Sequence, residues 1–321
     1  MQAVTYARYG PPDVMRVEEI EQPAPNDEQV LVRVRASSVN AGDYRVRAGR
    51  PPLMRLMMGA PFKPKGTRLG SDLAGVVEAV GANVTQFKPG DEVFGCRSGA
   101  FAEYVVAREG LLAHKPANVS FEQAAAVPVA GLTAVQGLRD TGRLQPGQQV
   151  LIQGASGGVG SCMVQVAKAM GAEVTAVVSP RNLELARALG ADRVLDYTQD
   201  DFARRPERYD LILAVNGYRW IGDYGRALKP QGVYVCAGGA LRQLFQVLLL
   251  GKAFSRAGGK RFTFMGIAEV VQSDLVFLAA LLRDGALTPH IDRTYPLGDI
   301  VAAFRYVEDE HAQGKVVITL D

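Results

Sequence analysis

One short segment constrains this chain more than any other. The apolar run Val150-Leu151-Ile152-Gln153 leads at once into Gly154-Ala155-Ser156-Gly157-Gly158-Val159-Gly160, and a helical pattern follows to about residue 170. Four glycines in seven residues between a strand and a helix demand a tight turn with little side-chain bulk. Gly157 lets backbone amides approach a bound group, and Gly160 lets the helix pack closely on its strand. The unpaired N–H groups and the dipole at the helix start favour an anion. The segment is therefore read as the cradle of a dinucleotide pyrophosphate, with Ala155 standing at the first glycine of the commoner pattern.

The pattern after this turn supports the same reading. Apolar stretches at 173–178, 193–197, 209–215, 232–237 and 261–266 alternate with amphipathic helical stretches, so six strands form a parallel sheet covered on both faces. Such a doubly wound sheet binds ligands at its carboxyl edge, where Asn216-Gly217 ends the fourth strand and Ala237-Gly238-Gly239 ends the fifth. The second strand ends in Ser179-Pro180-Arg181-Asn182, with no acid to hold a free ribose 2′-hydroxyl. Ser179, Arg181 and Asn182 offer hydrogen-bond donors suited to a 2′-phosphate, which makes NADP(H) the expected cofactor.

At 321 residues the chain exceeds what one core usually fills, and the first third reads differently. Val30 to Ala36 alternates at period two, and short strands are expected at 73–80, 91–96, 100–106 and 111–115, as in a β-barrel. Ser120 with Gln123 forms a capping box before a helix, which places a boundary near residue 121. A helix near 270–283, another near 298–309 and a strand at 315–320 close the chain, the strand returning to the first domain.

A net charge of +3 gives no reason to expect nucleic acid. Three scattered cysteines, Cys96, Cys162 and Cys236, imply neither disulfides nor a thiolate metal site, so a reducing cytoplasm is the expected setting. Neither a signal peptide nor a transmembrane stretch is apparent. Residues 44–71 are unusual: Arg45, Arg47, Arg50, Arg55, Lys63, Lys65 and Arg68 are interleaved with Leu53, Met54, Leu56, Met57 and Met58 and carry no acid. Three readings stand for this segment: a lid over an apolar substrate, a peripheral membrane contact through 45–68, or a solvated basic loop. The apolar segment 241–250 is read as a helix at the substrate site or at a subunit contact.

With these residues in view the whole chain resembles the medium-chain dehydrogenase/reductase superfamily, in its zinc-independent quinone oxidoreductase (zeta-crystallin-like) branch. The resemblance rests on Tyr9-Gly10-Pro11-Pro12, Ala36-Ser37-Ser38-Val39-Asn40, Gly70-Ser71-Asp72-Leu73-Ala74-Gly75-Val76-Val77, Phe87-Lys88-Pro89-Gly90-Asp91-Glu92-Val93, the glycine turn, and Gly314-Lys315-Val316-Val317. It implies an α/β chain: a GroES-like β-barrel catalytic domain from residues 1–121 and 268–321, and a Rossmann-type doubly wound cofactor domain from 122–267.

Zinc-dependent relatives carry Cys where this chain has Asn40, and Gly-His-Glu where it has Gly70-Ser71-Asp72, so the resemblance implies that no metal is bound. Without a Lewis acid the acceptor must already be activated, as quinones and enones are. The resemblance places Asn40 near the nicotinamide ribose and the substrate, able to donate to a developing oxyanion. It places Tyr44 at the substrate or in packing, and makes Asp43 a cap or hydrogen-bond hub rather than a base. Thr133 falls beside the nicotinamide, Tyr197 on the adenosine phosphate side, and Lys315 within reach of the cofactor. A homodimer is implied. The leading expectation is NADPH-dependent hydride transfer to a quinone, with 2-alkenal or enone reduction as the neighbouring reading. An NADPH-binding structural or RNA-contacting protein and a zinc-dependent alcohol dehydrogenase are the alternatives of other classes.

Overall fold

The computed structural model describes residues 1–51, 55–56, 60–64, 67–256, 259–309 and 312–320. Leu53, Met54, Met57, Met58 and Lys65 of the basic segment lie outside them. The chain divides into one unit of residues 1–129, 270–284 and 289–321 and another of 130–269 and 285–288. The helix Phe121–Ala125, capped by Ser120 and Gln123 as its sequence predicts, packs on strands of the first unit, so the division falls beyond it.

The first unit opens with β1 (Gln2–Tyr6), β2 (Met15–Glu19), β3 (Gln29–Val39), β4 (Asp72–Val80), β5 (Glu92–Cys96), β6 (Tyr104–Arg108) and β7 (Leu112–His114). The second contributes β8 (Gln149–Gln153), β9 (Glu173–Val178), β10 (Arg193–Asp196), β11 (Tyr209–Ala214), β12 (Leu228–Cys236) and β13 (Arg261–Phe264). The chain then closes the first unit with β14 (Ile291–Pro296) and β15 (Lys315–Thr319).

In the first unit the strands run in the order β14-β15-β3-β4-β5-β7, with β6 also on β3. Period-two alternation in β3 buries Val30, Val32 and Val34 and leaves Arg33 exposed. Register shifts between β3 and β4 bend the sheet around one core, which holds these valines with Leu73, Phe101, Phe304 and Ile318. Each such fully buried side chain contributes roughly 1.5–3 kcal/mol of transfer free energy. β15 pairs antiparallel with β3, which is how the end of the chain returns to its beginning and how Lys315 reaches Val39.

The strand expected at 100–106 is displaced to 104–108. Ala100, Phe101 and Ala102 are all fully buried, but the pairing of this stretch is confined to an isolated bridge between Ala102 and Ala3. Their backbone groups instead meet separate partners, Phe101 O accepting from Val4 N at 2.8 Å and Phe101 N donating to Leu69 O at 3.1 Å. Two basic residues of the 44–71 segment are also spent internally. Arg47 lies on the helix Ala41–Ala48 and is 1% exposed against Glu308, while Arg55 donates to Gly49 O and covers the Tyr9 ring.

The second unit has the strand order β10-β9-β8-β11-β12-β13, with every ladder parallel. This is the doubly wound sheet expected from the repeating strand–helix pattern. The order reverses between β8 and β11, and the crevice beyond the carboxyl ends of those two strands is where such sheets hold ligands. Among the described residues no helix is long and apolar enough to cross a membrane.

Candidate active site

The glycine turn sits at that reversal. Gly154 follows β8 with φ +83°, a left-handed conformation suited to glycine, and its N–H donates to Val177 O at 3.1 Å, pinning the turn to β9. Gly157 caps the helix Gly158–Ala169 without a side chain of its own, so the first N–H groups of that helix face outward for a ligand. A Cβ on Gly160 would stand 2.0 Å from Gly154 O and 2.8 Å from Ala155 Cα. The turn can close only around a glycine there.

The neighbouring strand ends complete this edge of the sheet. Asn216 N meets Gln153 O at 3.4 Å, and Gly217 bridges Gly239, so β8, β11 and β12 end side by side. Ala237 and Gly238 both donate backbone N–H groups to Ala214 O. At the end of β9, Asn182 Nδ2 donates to Ser156 Oγ at 2.8 Å and Ser179 Oγ at 3.1 Å, tying the glycine turn to the segment read as the 2′-phosphate pocket. Asn182 Oδ1 is buried without a partner among the described residues, an acceptor suited to a ribose hydroxyl. Arg181 is exposed beside it, and Tyr197 donates its backbone N–H to Val178 O, bringing a half-exposed ring to the same edge. Thr133 is half-buried on the helix Pro128–Val135.

The first unit holds a second cluster, buried and polar. Asp72, fully buried at the start of β4, accepts at Oδ2 from Ser38 Oγ, from Asn40 Nδ2 at 2.7 Å and from Lys315 Nζ at 3.2 Å. Its Oδ1 accepts from the Val129 backbone N–H at 2.7 Å and faces the Cys96 thiol. Burial first, and then the Asp72 charge, push that thiol well above its ordinary value, so it remains protonated. Lys315 Nζ also donates to Asn40 Oδ1 at 2.6 Å and Val39 O at 3.4 Å. Its shorter donations, to Asn40 Oδ1 and Asp72 Oδ2, make Lys315, which the resemblance places within reach of the cofactor, the cation of this cluster.

Asn40 caps the helix Ala41–Ala48, and Asp43 receives its backbone N–H at 2.8 Å and the Ser71 hydroxyl at 2.9 Å. Asp43 is thus the hub its sequence position implies. Tyr44 is half-buried against the apolar core under the Arg45 guanidinium. Sequence reasoning passed over Ser38 and the central place of Asp72. The signal was present in the polar pairs Ser37-Ser38 and Ser71-Asp72 set among apolar neighbours on strands that must be buried.

Burial raises the Asp43 carboxyl to about 6, with the Asp72 charge acting in the same direction and its two hydrogen bonds and Lys315 against it. A carboxyl that holds its proton more tightly when folded contributes stability below the unfolded value near 4, and that contribution is lost as pH rises through about 6. Unfolding free energy should therefore fall between about pH 4 and pH 6, and Asp43→Asn should flatten that stretch of the curve. Denaturant titrations at half-unit pH steps measure it; a slope unchanged in the variant would assign the effect to another group.

Two family models match the chain: an alcohol dehydrogenase GroES-like domain over residues 26–117 and a zinc-binding dehydrogenase over 189–318. The chain is 35% identical to a 2-methylene-furan-3-one reductase of Solanum lycopersicum, covering 99% of this chain and 79% of the relative. It is 33% identical to an NADPH-dependent alkenal/one oxidoreductase, chloroplastic, of Arabidopsis thaliana, again over 99% of this chain and 79% of the relative. Escherichia coli quinone oxidoreductase, in a structure complexed with NADPH, superposes with a TM-score of 0.83 at 25% identity, covering all of both chains. The second family description implies zinc, and the donors do not fit it. Among the described residues no three His, Cys, Asp or Glu side chains gather to hold a metal, and the Asp72 carboxylate already faces an ammonium.

Proposed function

As the chain belongs to the medium-chain dehydrogenase/reductase superfamily, we propose that it is a zinc-independent, NADPH-dependent reductase of quinones, with 2-alkenals and enones as the neighbouring acceptor class. The observation that carries this reading is the Asn40–Asp72–Lys315 cluster, in which Asn40 and Asp72 stand, by the resemblance, where zinc-dependent relatives have Cys and the last residue of Gly-His-Glu, and an ammonium sits between them. Such a cluster does not polarise a plain carbonyl as a Lewis acid does, so the acceptor must be conjugated.

NADPH, when bound, supplies a hydride to such an acceptor. The chain's own residues do the rest. Gly154 through Gly160 hold the pyrophosphate on the helix N-terminus, while Ser179 and Arg181 meet the 2′-phosphate and Tyr197 borders it. Asn182, expected from the sequence to donate there, has both Nδ2 hydrogens on Ser156 and Ser179 and offers only Oδ1, to a ribose hydroxyl. Asn216 and Ala237 through Gly239 border the cofactor at the sheet edge, and Thr133 the nicotinamide. Asn40 donates the second Nδ2 hydrogen, held otherwise only by the 3.4 Å contact to Ser38 O, to the acceptor oxygen as charge gathers there. The proton that completes reduction comes from water.

The finer parts of this reading have separate supports. A homodimer accords with Leu241, Phe245, Leu248 and Leu249, which form an exposed apolar row on the helix Leu241–Arg256. A lipophilic acceptor or a membrane-surface contact through 45–68 accords with exposed Leu56 and Phe62 among the remaining basic residues. A cytoplasmic, reducing setting accords with three buried cysteines that form no disulfide.

The test follows NADPH oxidation against ortho- and para-quinones, 2-alkenals and saturated aldehydes, with and without chelator. Turnover of the conjugated acceptors, indifferent to chelation, is expected; turnover of saturated aldehydes alone, abolished by chelation, would refute it. Arg181→Asp should raise the KM for NADPH by roughly tenfold or more, one charge-assisted hydrogen bond being lost and a repulsion added. An unchanged KM would move the 2′-phosphate contact elsewhere.

A further inference from the structure

The orientation of the Asn40 amide is dictated by its partners. Lysine can only donate, so the atom facing Lys315 Nζ at 2.6 Å is the amide oxygen; an ionised carboxylate can only accept, so the atom facing Asp72 Oδ2 at 2.7 Å is the amide nitrogen. Lys315 is 3% exposed and comes from β15, far along the chain from both partners, and it reaches them because β15 pairs with β3. Burying a lysine ammonium among amides and strands is costly unless it meets a charge and fills its hydrogen bonds, and Lys315 does both. An amide held from both ends has one polarity to present.

We propose that Lys315 is a positioning residue for the reaction: its ammonium, seated between Asn40 Oδ1 and Asp72, is a tethered cation that stands in for a metal ion and makes N–H, rather than C=O, the face Asn40 presents. Three tasks fall to it. It balances the Asp72 carboxylate, it occupies the amide oxygen, and by doing so it leaves the second Nδ2 hydrogen, engaged only by Ser38 O at 3.4 Å, as the group the side chain can offer an acceptor. The charge-balancing part stands on geometry alone, while the meaning of the outward N–H rests on the reductase reading.

A double-mutant cycle separates these parts. Lys315→Met leaves Asp72 buried and uncompensated, and Asp72→Asn leaves the ammonium so; each should lower the melting temperature of the first unit by roughly 10 °C in calorimetry. In the double variant both charges are gone and the Asn40 amide is free to turn over, its Oδ1 then accepting from the amide nitrogen introduced at position 72. At least half of the loss should return. A double variant no more stable than the worse single, or one that does not fold, overturns the charge pairing, and folding of the double alone supports it.

The second readout is kinetic. The refolded double variant presents C=O where the parent presents N–H, so kcat with a quinone should stay at least tenfold low while the KM for NADPH stays at the parent value. If kcat recovers together with stability, Lys315 serves the fold only and the positioning role is overturned. Should the parent itself turn over no acceptor, the reductase reading fails while the calorimetric cycle still decides the charge pairing.

Discussion

A Gly160→Ala variant should bind NADPH roughly 100-fold more weakly, or not at all, because the turn cannot accept the extra methyl. The added Cβ would stand 2.0 Å from Gly154 O and 2.8 Å from Ala155 Cα, both backbone atoms on a segment pinned to β9. Relief requires moving the helix start away from the turn by an ångström or more. The N–H groups that would hold a pyrophosphate move with it, and each charge-assisted hydrogen bond lost costs about 1.5–3 kcal/mol. Gly157→Ala is the informative contrast. Its Cβ would meet only Gly154 O at 3.8 Å, an ordinary contact, so the fold should tolerate it and any lost affinity would report the space a ligand needs. Fluorescence titration with NADPH reads both variants, and parent-like binding by Gly160→Ala would remove the pyrophosphate from this turn.

The second unit was open to sequence reading because its signals are local. Each buried parallel strand is a continuous apolar run, and the turn glycines are dictated by contacts within a few residues of themselves. β2 and β14 went unread for the opposite reason. They lie at edges, each paired on one side only, and their sequences MRVEE and IDRTYP leave most side chains in partial contact with water, so neither alternation nor an apolar run marks them. The closeness of the glycine turn to Ser179 and Asn182, expected from the sequence, is likewise a local matter of adjacent strand ends, and the Asn182–Ser156 hydrogen bond joins them.

The polar cluster was only half readable. Asn40 and Asp43 form a local capping pair three residues apart, which sequence exposes. Lys315 and Asp72 meet across 243 positions, and a lysine written into an otherwise apolar terminal strand looks the same whether it reaches outward to a phosphate or inward to a carboxylate. Only the pairing of β15 with β3 decides between the two. Arg47 poses the same difficulty. In sequence it is one of a run of basic residues suited to a solvated loop, and in the fold it is the largest fully buried side chain.

Arg47 also supplies the other large effect. Its guanidinium is ion-paired to Glu308 and lies over the Phe304 ring at 5.6 Å, while Nε and Nη1 have no partner among the described residues. Burial lowers the Arg47 pKa and raises that of Glu308, so in both the attraction falls short of the cost of leaving water. The two halves of the pair should then respond unequally to removal. Glu308→Ala strands a charge in the core and should cost about 3 kcal/mol or more, whereas Arg47→Met removes the buried charge, keeps most of the volume against Phe304, and should cost about 1 kcal/mol or less. Arg47→Met/Glu308→Ala should lie near Arg47→Met alone. Native-state hydrogen exchange of the β3 amides reads the unfolding of this unit without interference from the other. Equal losses in the two single variants would mean that the pair contributes net stability, and that the unpartnered guanidinium nitrogens carry no cost.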